Sequence, residues 1–143
     1  MKFRFAPAFA LATLIGTLCP ALAVAQTYAI EGGEIGSEQV ERGQTAYQDH
    51  CAACHGEDLK SVLGTAPDLT GSAFKYGWAG HTVGEKYAII SATMPAGTPG
   101  ALSDQAYADI VAFILSFNGV EVAGEGELPP DQQALDAVSI VAR

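Results

Sequence analysis

The sequence has little positive charge and few sulfur-containing or indole side chains. Lysine and arginine number 7 against 16 aspartate and glutamate residues, so the 143-residue chain carries a formal net charge of −9. Phosphate backbones and anionic lipid surfaces repel such a chain, which argues against nucleic acid and membrane surfaces as partners. The chain also has only three cysteines, two methionines and one tryptophan. Any site built from these side chains therefore has few candidates.

The first 25 residues have the pattern of a secretory signal peptide. A short basic region precedes an apolar run at 9–22, which is too short to span a bilayer. Ala23 and Ala25 then provide small residues at the two positions that a signal peptidase reads. Leu18 precedes Cys19, where lipid attachment would require a small residue. We therefore predict cleavage after Ala25, export to the periplasm and no stable membrane anchor.

The exported chain is predicted to divide into three parts. Residues 26–36 are rich in glycine and glutamate and lack apolar periodicity, which predicts a loose leader. A single domain follows over 37–120. Residues 121–143 form an acidic, proline-containing extension, in which 131–141 has the pattern of a weak helix. The two ends are acidic and the middle of the chain is nearly neutral.

Hydrophobic periodicity predicts helices and no convincing strand, so we expect an all-α fold. A first helix is predicted over 38–50, with Ser37 as its N-cap. Residues 56–81 contain many glycines and no apolar period, which predicts a loop. A loop of this length in a small domain suggests that something other than protein packs beneath it.

Two further helices have clear start and stop signals. Residues 82–85 (Thr-Val-Gly-Glu) fit a capping box and begin a short helix that ends before Pro95. Ser103 is predicted to cap the last main helix, and Asn118-Gly119 to end it in a left-handed turn. The apolar stripe of that helix consists of Tyr107, Ile110, Val111, Ile114 and Phe117.

Cys51-Ala52-Ala53-Cys54-His55 is the pattern of covalent haem attachment. Two thiols three positions apart on one helical turn can reach the two vinyl groups of a single porphyrin, and His55 then lies where it can ligate the iron. A redox-active disulfide would leave His55 without a role. A zinc site would have no other cysteine in the exported chain, and structural zinc prefers four protein ligands. A structural disulfide is the third alternative, and the haem interpretation is favoured over all three.

Met94 is predicted to be the sixth ligand of the iron. It is the only methionine besides Met1, it follows a predicted helix, and Pro95 fixes the turn after it. A lone methionine is commonly a packing residue. Here the iron would still lack a sixth ligand, which makes ligation the favoured role. His50 adjoins Cys51 and is too constrained to reach the opposite face. His81 lies in a polar loop, where a surface histidine is the simpler interpretation.

With these features the chain resembles class I cytochromes c across nearly all of its exported length. Within that class, residues 94–100, 102–104 and 107–110 are similar to the monohaem cytochromes associated with quinoprotein (PQQ) alcohol dehydrogenases, and so are residues 127–131. The resemblance implies a class I cytochrome c fold, in which three to five helices wrap around one covalently bound haem c.

The resemblance also implies roles for residues outside the motif. Pro67 lies 12 residues after His55, where the class has a proline whose carbonyl accepts a hydrogen bond from the ligand histidine. An ordinary loop proline is the alternative. Leu69 is expected to pack on the porphyrin. Gly43 and Tyr47 are expected to meet the last helix, with Gly43 allowing a close approach.

The single tryptophan, Trp78, is a candidate partner for a haem propionate, because a buried indole N–H needs an acceptor. Core packing is the alternative role. Tyr76 and Tyr87 are weaker candidates for the same contact.

The expected function is electron transfer by a monomeric carrier that is not an enzyme. Ligation by both His55 and Met94 would leave no iron site for a substrate. The resemblance implies a quinoprotein dehydrogenase as electron donor and a terminal oxidase or another cytochrome as acceptor. Two alternatives remain open. One is a haem-based ligand-binding or sensor protein with an open sixth site, and the other is a permanent cytochrome subunit of a dehydrogenase complex.

Overall fold

A computed structural model describes residues 27–143, so the predicted signal peptide and Cys19 lie outside the described residues. The described chain contains six helices and one small sheet. The helices are α1 (Ser37–His50), α2 (Ala52–His55), α3 (Gly71–Gly77), α4 (Val83–Thr93), α5 (Asp104–Phe117) and α6 (Gln132–Leu135), and the strands are β1 (Tyr28–Glu31) and β2 (Ser139–Ala142). The described chain is mostly helical, so the helical part of the predicted all-α fold is confirmed. Within residues 27–143, no helix combines the length and the apolar character needed to cross a membrane.

Helices α1 and α5 form the central pair of the fold. Gly43 makes this packing possible, because a Cβ atom at its position would collide with the backbone carbonyl of Asp109 and lie 3.0 Å from Cβ of Phe113. One turn further along, the rings of Tyr47 and Phe113 pack with centroids 5.2 Å apart. The predicted close approach of these two helices at Gly43 is therefore confirmed. Arg42 strengthens the pair through a two-pronged ion pair with the buried Asp109, at 2.9 and 3.2 Å.

The helix caps agree with the sequence in two places and differ in one. Thr82 and Glu85 form the predicted capping box of α4, and the Ser103 side chain accepts the N–H of Ala106 at the start of α5. The prediction of Ser37 as N-cap is wrong, because Gly36 occupies that position. The N–H of Ser37 donates to the carbonyl of Gly124, so the chain beyond α5 satisfies one of the free donors at the start of the helix.

A two-stranded antiparallel sheet joins the two ends of the described chain, which corrects the all-α prediction. Strand β1 lies in the predicted loose leader, and β2 lies where the weak helix 131–141 was expected, with α6 as its only helical turn. Each strand has four residues and its partner lies at the other end of the chain, so local periodicity gives no signal for either. Helix α3, inside the predicted loop 56–81, also raises the helix count above the expected three to five.

The C-terminal extension packs on its own domain. Four of its apolar side chains are almost completely buried and belong to the same core as α5, namely Leu128, Leu135, Val138 and Ile140. Helix α6 contacts α4. The extension therefore packs against α4 as well as contributing to the core.

Candidate cofactor site

A cavity of about 500 Å³ lies between the helices and is lined mostly by apolar side chains. Its wall includes the end of α1, helix α2, the loop 63–69 and one face of α4. The turn 94–97 and two isoleucines of α5, Ile110 and Ile114, complete the lining. Cys51, Cys54, His55, Pro67, Leu69, Trp78 and Met94, which are the site residues predicted from the sequence, all line this one cavity.

The two cysteines lie where α1 gives way to α2. Cys51 is the residue between the helices, and Cys54 follows within the single turn of α2. Both are free thiols in the described structure, Cys51 partly buried and Cys54 exposed. Burial, assisted by the neighbouring Cys54, raises the pKa of Cys51 to about 11. Two unpaired thiols facing one apolar cavity fit covalent attachment of a flat ligand better than a disulfide.

His55 is buried, and its orientation is fixed by a hydrogen bond. Its Nδ1 lies 2.9 Å from the carbonyl oxygen of Pro67. A carbonyl can only accept, so Nδ1 carries the proton and Nε2 keeps a free lone pair. This is the state in which an imidazole ligates a metal, and the bond to Pro67 holds the ring in one orientation.

Met94 is half-buried and lies directly after the last residue of α4. Its N–H donates to the carbonyl of Ile90, which completes the last helical turn. Its own carbonyl accepts hydrogen bonds from the Tyr107 hydroxyl at 2.7 Å and from the N–H of Gly100 at 3.3 Å. The backbone of Met94 is therefore tied both to α5 and to the turn that follows it.

The two histidines considered as alternative ligands differ in their position relative to the cavity. His50 lines the cavity but is exposed at the end of α1. His81 is not part of the cavity wall, and its Nδ1 lies 2.9 Å from a carboxylate oxygen of Glu85. A surface role for His81 is therefore the interpretation that its contacts support.

The three aromatic candidates for a propionate contact differ in their position relative to the cavity. Trp78 is 7% exposed and stacks on Phe74 with ring centroids 5.4 Å apart. Tyr76 is 76% exposed, and Tyr87 is buried against Tyr107, so neither lines the cavity. Leu69 is half-buried and does line it. Of the three aromatic candidates, only Trp78 is therefore placed to contact a ligand in the cavity.

Three side chains that support the cavity walls were not assigned this role from the sequence. Each donates a hydrogen bond to the carbonyl of a segment that lines the cavity: Tyr47 to Gly56 at 2.8 Å, Asn118 to Leu69 at 2.9 Å, and Tyr107 to Met94 at 2.7 Å. The two tyrosines were assigned to apolar helix faces, and Asn118 to a helix stop. The sequence does indicate that a buried tyrosine hydroxyl needs a polar partner, but it does not identify that partner.

The residues present fit a covalently attached haem. The cavity offers two thiols, one imidazole with a free Nε2 and one thioether, and the rest of its wall is largely apolar. Soft sulfur and imidazole donors suit iron. An apolar wall suits a porphyrin, because the free energy falls when the two apolar surfaces pack together and release their water.

Comparison with known proteins supports this assignment. Residues 38–114 match the sequence profile of a protein family described as cytochrome c oxidase, cbb3-type, subunit III. This range extends from α1 into α5 and includes the thiols, His55 and Met94. Among curated proteins, a thiosulfate dehydrogenase from Stutzerimonas stutzeri (strain A1501) is 30% identical over 86 residues, which is 57% of this chain and 28% of that protein. The chain thus spans little more than a quarter of that relative's length. No solved structure gives a significant match.

Proposed function

The chain belongs to this cytochrome c family, and from that premise we propose that it is a periplasmic electron carrier whose haem iron is ligated by His55 and Met94. Membership in the family implies a covalently bound haem c and haem-based electron transfer. When bound, haem c supplies an iron that alternates between the ferric and ferrous states. The observation that carries the proposal is that both thiols, His55 and Met94 line a single cavity.

His55 and Met94 are the proposed axial ligands. The bond from Nδ1 of His55 to Pro67 leaves Nε2 free to bind iron, and the bonds to the Met94 carbonyl hold that residue at the cavity wall. A neutral thioether ligand favours the ferrous state and so raises the reduction potential. Leu69 and Ile90 provide apolar wall, which disfavours the additional positive charge of the ferric state.

A carrier is favoured over a catalyst because both axial positions would be filled by this chain. A substrate would then have no open iron site, and electrons would pass through the exposed edge of the porphyrin. The alternative of a sensor or ligand-binding protein requires Met94 to leave the iron. The hydrogen bond from Tyr107 fixes the backbone of Met94 at the cavity wall, which supports the carrier.

The partners that we propose are redox proteins. The similarity of residues 94–100 and 107–110 to cytochromes associated with quinoprotein dehydrogenases supports such an enzyme as donor, with a terminal oxidase or another cytochrome as acceptor. A permanent subunit with a tail that wraps a partner is less favoured, because Leu135, Val138 and Ile140 are already buried in their own core. This burial supports a monomer that meets its partners transiently.

The proposed docking surface surrounds the cavity. Leu63 and Ile89 line the cavity and are also 47% and 57% exposed, so they offer apolar contact beside it. No aspartate or glutamate of the described residues lines the cavity, and the acidic residues concentrate in segments 26–58 and 121–143. A small apolar contact with an acidic periphery suits brief encounters steered toward a basic partner. We expect the rate of electron transfer to such a partner to fall as salt is added, and a rate that rises with salt would contradict this.

The axial ligands can be tested by absorbance spectroscopy. Ferric protein is expected to show the weak long-wavelength band of iron–thioether ligation, and reduced protein is expected not to bind carbon monoxide. In Met94→Ala the band should disappear and carbon monoxide should bind. His81→Ala is the matched control, because it removes a possible ligand outside the cavity and should change neither result. Wild-type protein that lacks the band and binds carbon monoxide rapidly would overturn the carrier and favour the ligand-binding alternative.

A further inference from the structure

Lys86 is a buried cation in the wall of the cavity. It lies on α4, is only 9% exposed, and faces the cavity together with Ile89, Ile90 and Thr93 of the same helix. The other cations with assigned contacts differ from it. Arg42 and Lys60 are paired with carboxylates, and Lys75 lies over the ring of Tyr76.

Within residues 27–143, the Lys86 ammonium has neither a hydrogen-bond acceptor nor an ion-pair partner. The nearest candidate on its own helix is Glu85, but that carboxylate already accepts from His81 and from the N–H of Thr82. Burial lowers the pKa of Lys86, and only the charge of Glu85 opposes this effect. Every fully enclosed side-chain nitrogen of the described residues has a hydrogen-bond partner, so the unpaired Lys86 nitrogen is not sealed inside the protein. A cation that lines a largely apolar cavity, with a pKa lowered by burial, would be stabilised by an anion in that cavity.

That anion is not supplied by the walls of the cavity. Its lining contains no aspartate and no glutamate side chain among the described residues. A ligand that brings its own negative charge would therefore complement Lys86. Haem c has two propionate carboxylates, and these lie at the periphery of the macrocycle, away from the iron.

The position of Lys86 suits a contact with the periphery of the macrocycle. It precedes Met94 by eight residues, or about 12 Å along a helix, and both residues line the same cavity. A residue this far from the proposed iron ligand cannot belong to the axial set. Its long, flexible stem lets the ammonium adjust to an acceptor at the edge of the ligand.

We propose that Lys86 pairs with a haem propionate, which positions the cofactor and raises its reduction potential. The proposal rests on the proposed function only in that haem c occupies this cavity. A cation fixed near the macrocycle disfavours the ferric state, which carries one more positive charge than the ferrous state. Lys86 is thus a positioning residue for electron transfer. Trp78, whose indole N–H also has no acceptor within residues 27–143, is a second donor to the same group of carboxylates.

The test is the midpoint potential of the holoprotein in Lys86→Met, Lys86→Arg and a control, Lys75→Met. The control removes one positive charge from an exposed site on α3. We expect Lys86→Met to shift the one-electron equilibrium toward the ferric state about tenfold, a fall of about 59 mV. Lys86→Arg should keep the wild-type potential, and so should Lys75→Met. Redox-difference infrared spectra should show a displaced carboxylate band in Lys86→Met alone.

Two further results separate the possible outcomes. If Lys86→Met does not fold, Lys86→Gln retains a polar end without the charge and is expected to show the same fall. The iron–thioether band reports Met94 independently, so an intact band with an unchanged potential in Lys86→Met would overturn only the role of Lys86. In that case the lysine stem packs against the cavity while its ammonium reaches solvent. Absence of the band from wild-type protein would overturn the proposed ligation instead.

Discussion

The hydroxyl of Tyr107 donates a hydrogen bond of 2.7 Å to the backbone carbonyl of Met94. Tyr107 lies in the first turn of α5, and Met94 follows the last residue of α4. The N–H of Leu102 donates to the same hydroxyl at 3.4 Å, so one side chain joins both ends of the turn that carries the proposed sulfur ligand. Helix α5 and the proposed iron ligand are therefore joined through one side chain.

Replacement of Tyr107 by phenylalanine should weaken the ligation by Met94. The ring still fills its place in the core, but the bond to the carbonyl is lost, so we expect the free energy of unfolding to fall by about 1 kcal/mol. The iron–thioether band should disappear at a lower temperature than in wild-type protein. Tyr76→Phe removes a hydroxyl from an exposed tyrosine and serves as the control. Loss of the band at the same temperature in both variants would show that Tyr107 does not hold Met94.

Loss of both thiols should leave the chain largely unfolded. Without haem, the apolar side chains around the cavity of about 500 Å³ have nothing to pack against. We expect Cys51→Ser/Cys54→Ser to lack covalent haem and to show a strongly reduced helical signal in far-ultraviolet circular dichroism. The single variant Cys54→Ser, which retains one attachment point, should keep more structure. A native-like spectrum with cooperative unfolding in the double variant would refute this expectation.

A methyl group at Gly43 should force the two central helices apart. The added Cβ atom would collide with the carbonyl of Asp109, which is fixed in α5 and cannot move freely. We expect Gly43→Ala to lower the free energy of unfolding by about 3 kcal/mol in chemical denaturation. Gly64→Ala is the matched control, because nothing lies within 4 Å of a Cβ atom at that position. Similar stability of the two variants would mean that the helix pair adjusts without cost.

The capping box of α4 should make stability depend on pH. The hydrogen bond from His81, followed by that from the backbone of Thr82, lowers the pKa of Glu85. A lowered pKa means that the stabilisation is present above the ordinary glutamate pKa of about 4.3 and is lost as the pH falls through the folded value.

Glu85→Gln should therefore be less stable than wild-type protein at pH 7, and the difference should vanish in acid. Denaturation curves at several pH values measure this difference. Glu121→Gln, which alters an exposed carboxylate, should show no such trend. A difference that persists unchanged to low pH would exclude the carboxylate as its source.

The parts of the fold that the sequence predicted depend on neighbours in the chain. Thr82 and Glu85 are three residues apart, and both bonds of the capping box form between them. The attachment motif is likewise confined to one helical turn. Such local patterns carry their own structural information, which explains why the bounds of α4 and α5 and the chemistry of the motif were accessible.

The parts that the sequence did not predict depend on distant neighbours. Ser37 resembles an N-cap, but Gly124 supplies an acceptor from the other end of the chain. Ile140 in β2 pairs with Ile30, far away in sequence, and is completely buried. Tyr107 likewise has an ordinary place in an apolar stripe, and only the folded chain places its hydroxyl against Met94. Long-range pairing leaves no periodic signal in either partner.

The sheet has a consequence for the order in which the molecule opens. The N–H of Arg143 donates to the carbonyl of Thr27, although 116 positions separate the two residues. Contacts that close so long a loop form late and, in a sheet of two short strands, open first. The ends can therefore fray and rejoin many times within the lifetime of one folded molecule. We therefore expect amide hydrogens at this edge to exchange without release of the proposed iron ligands.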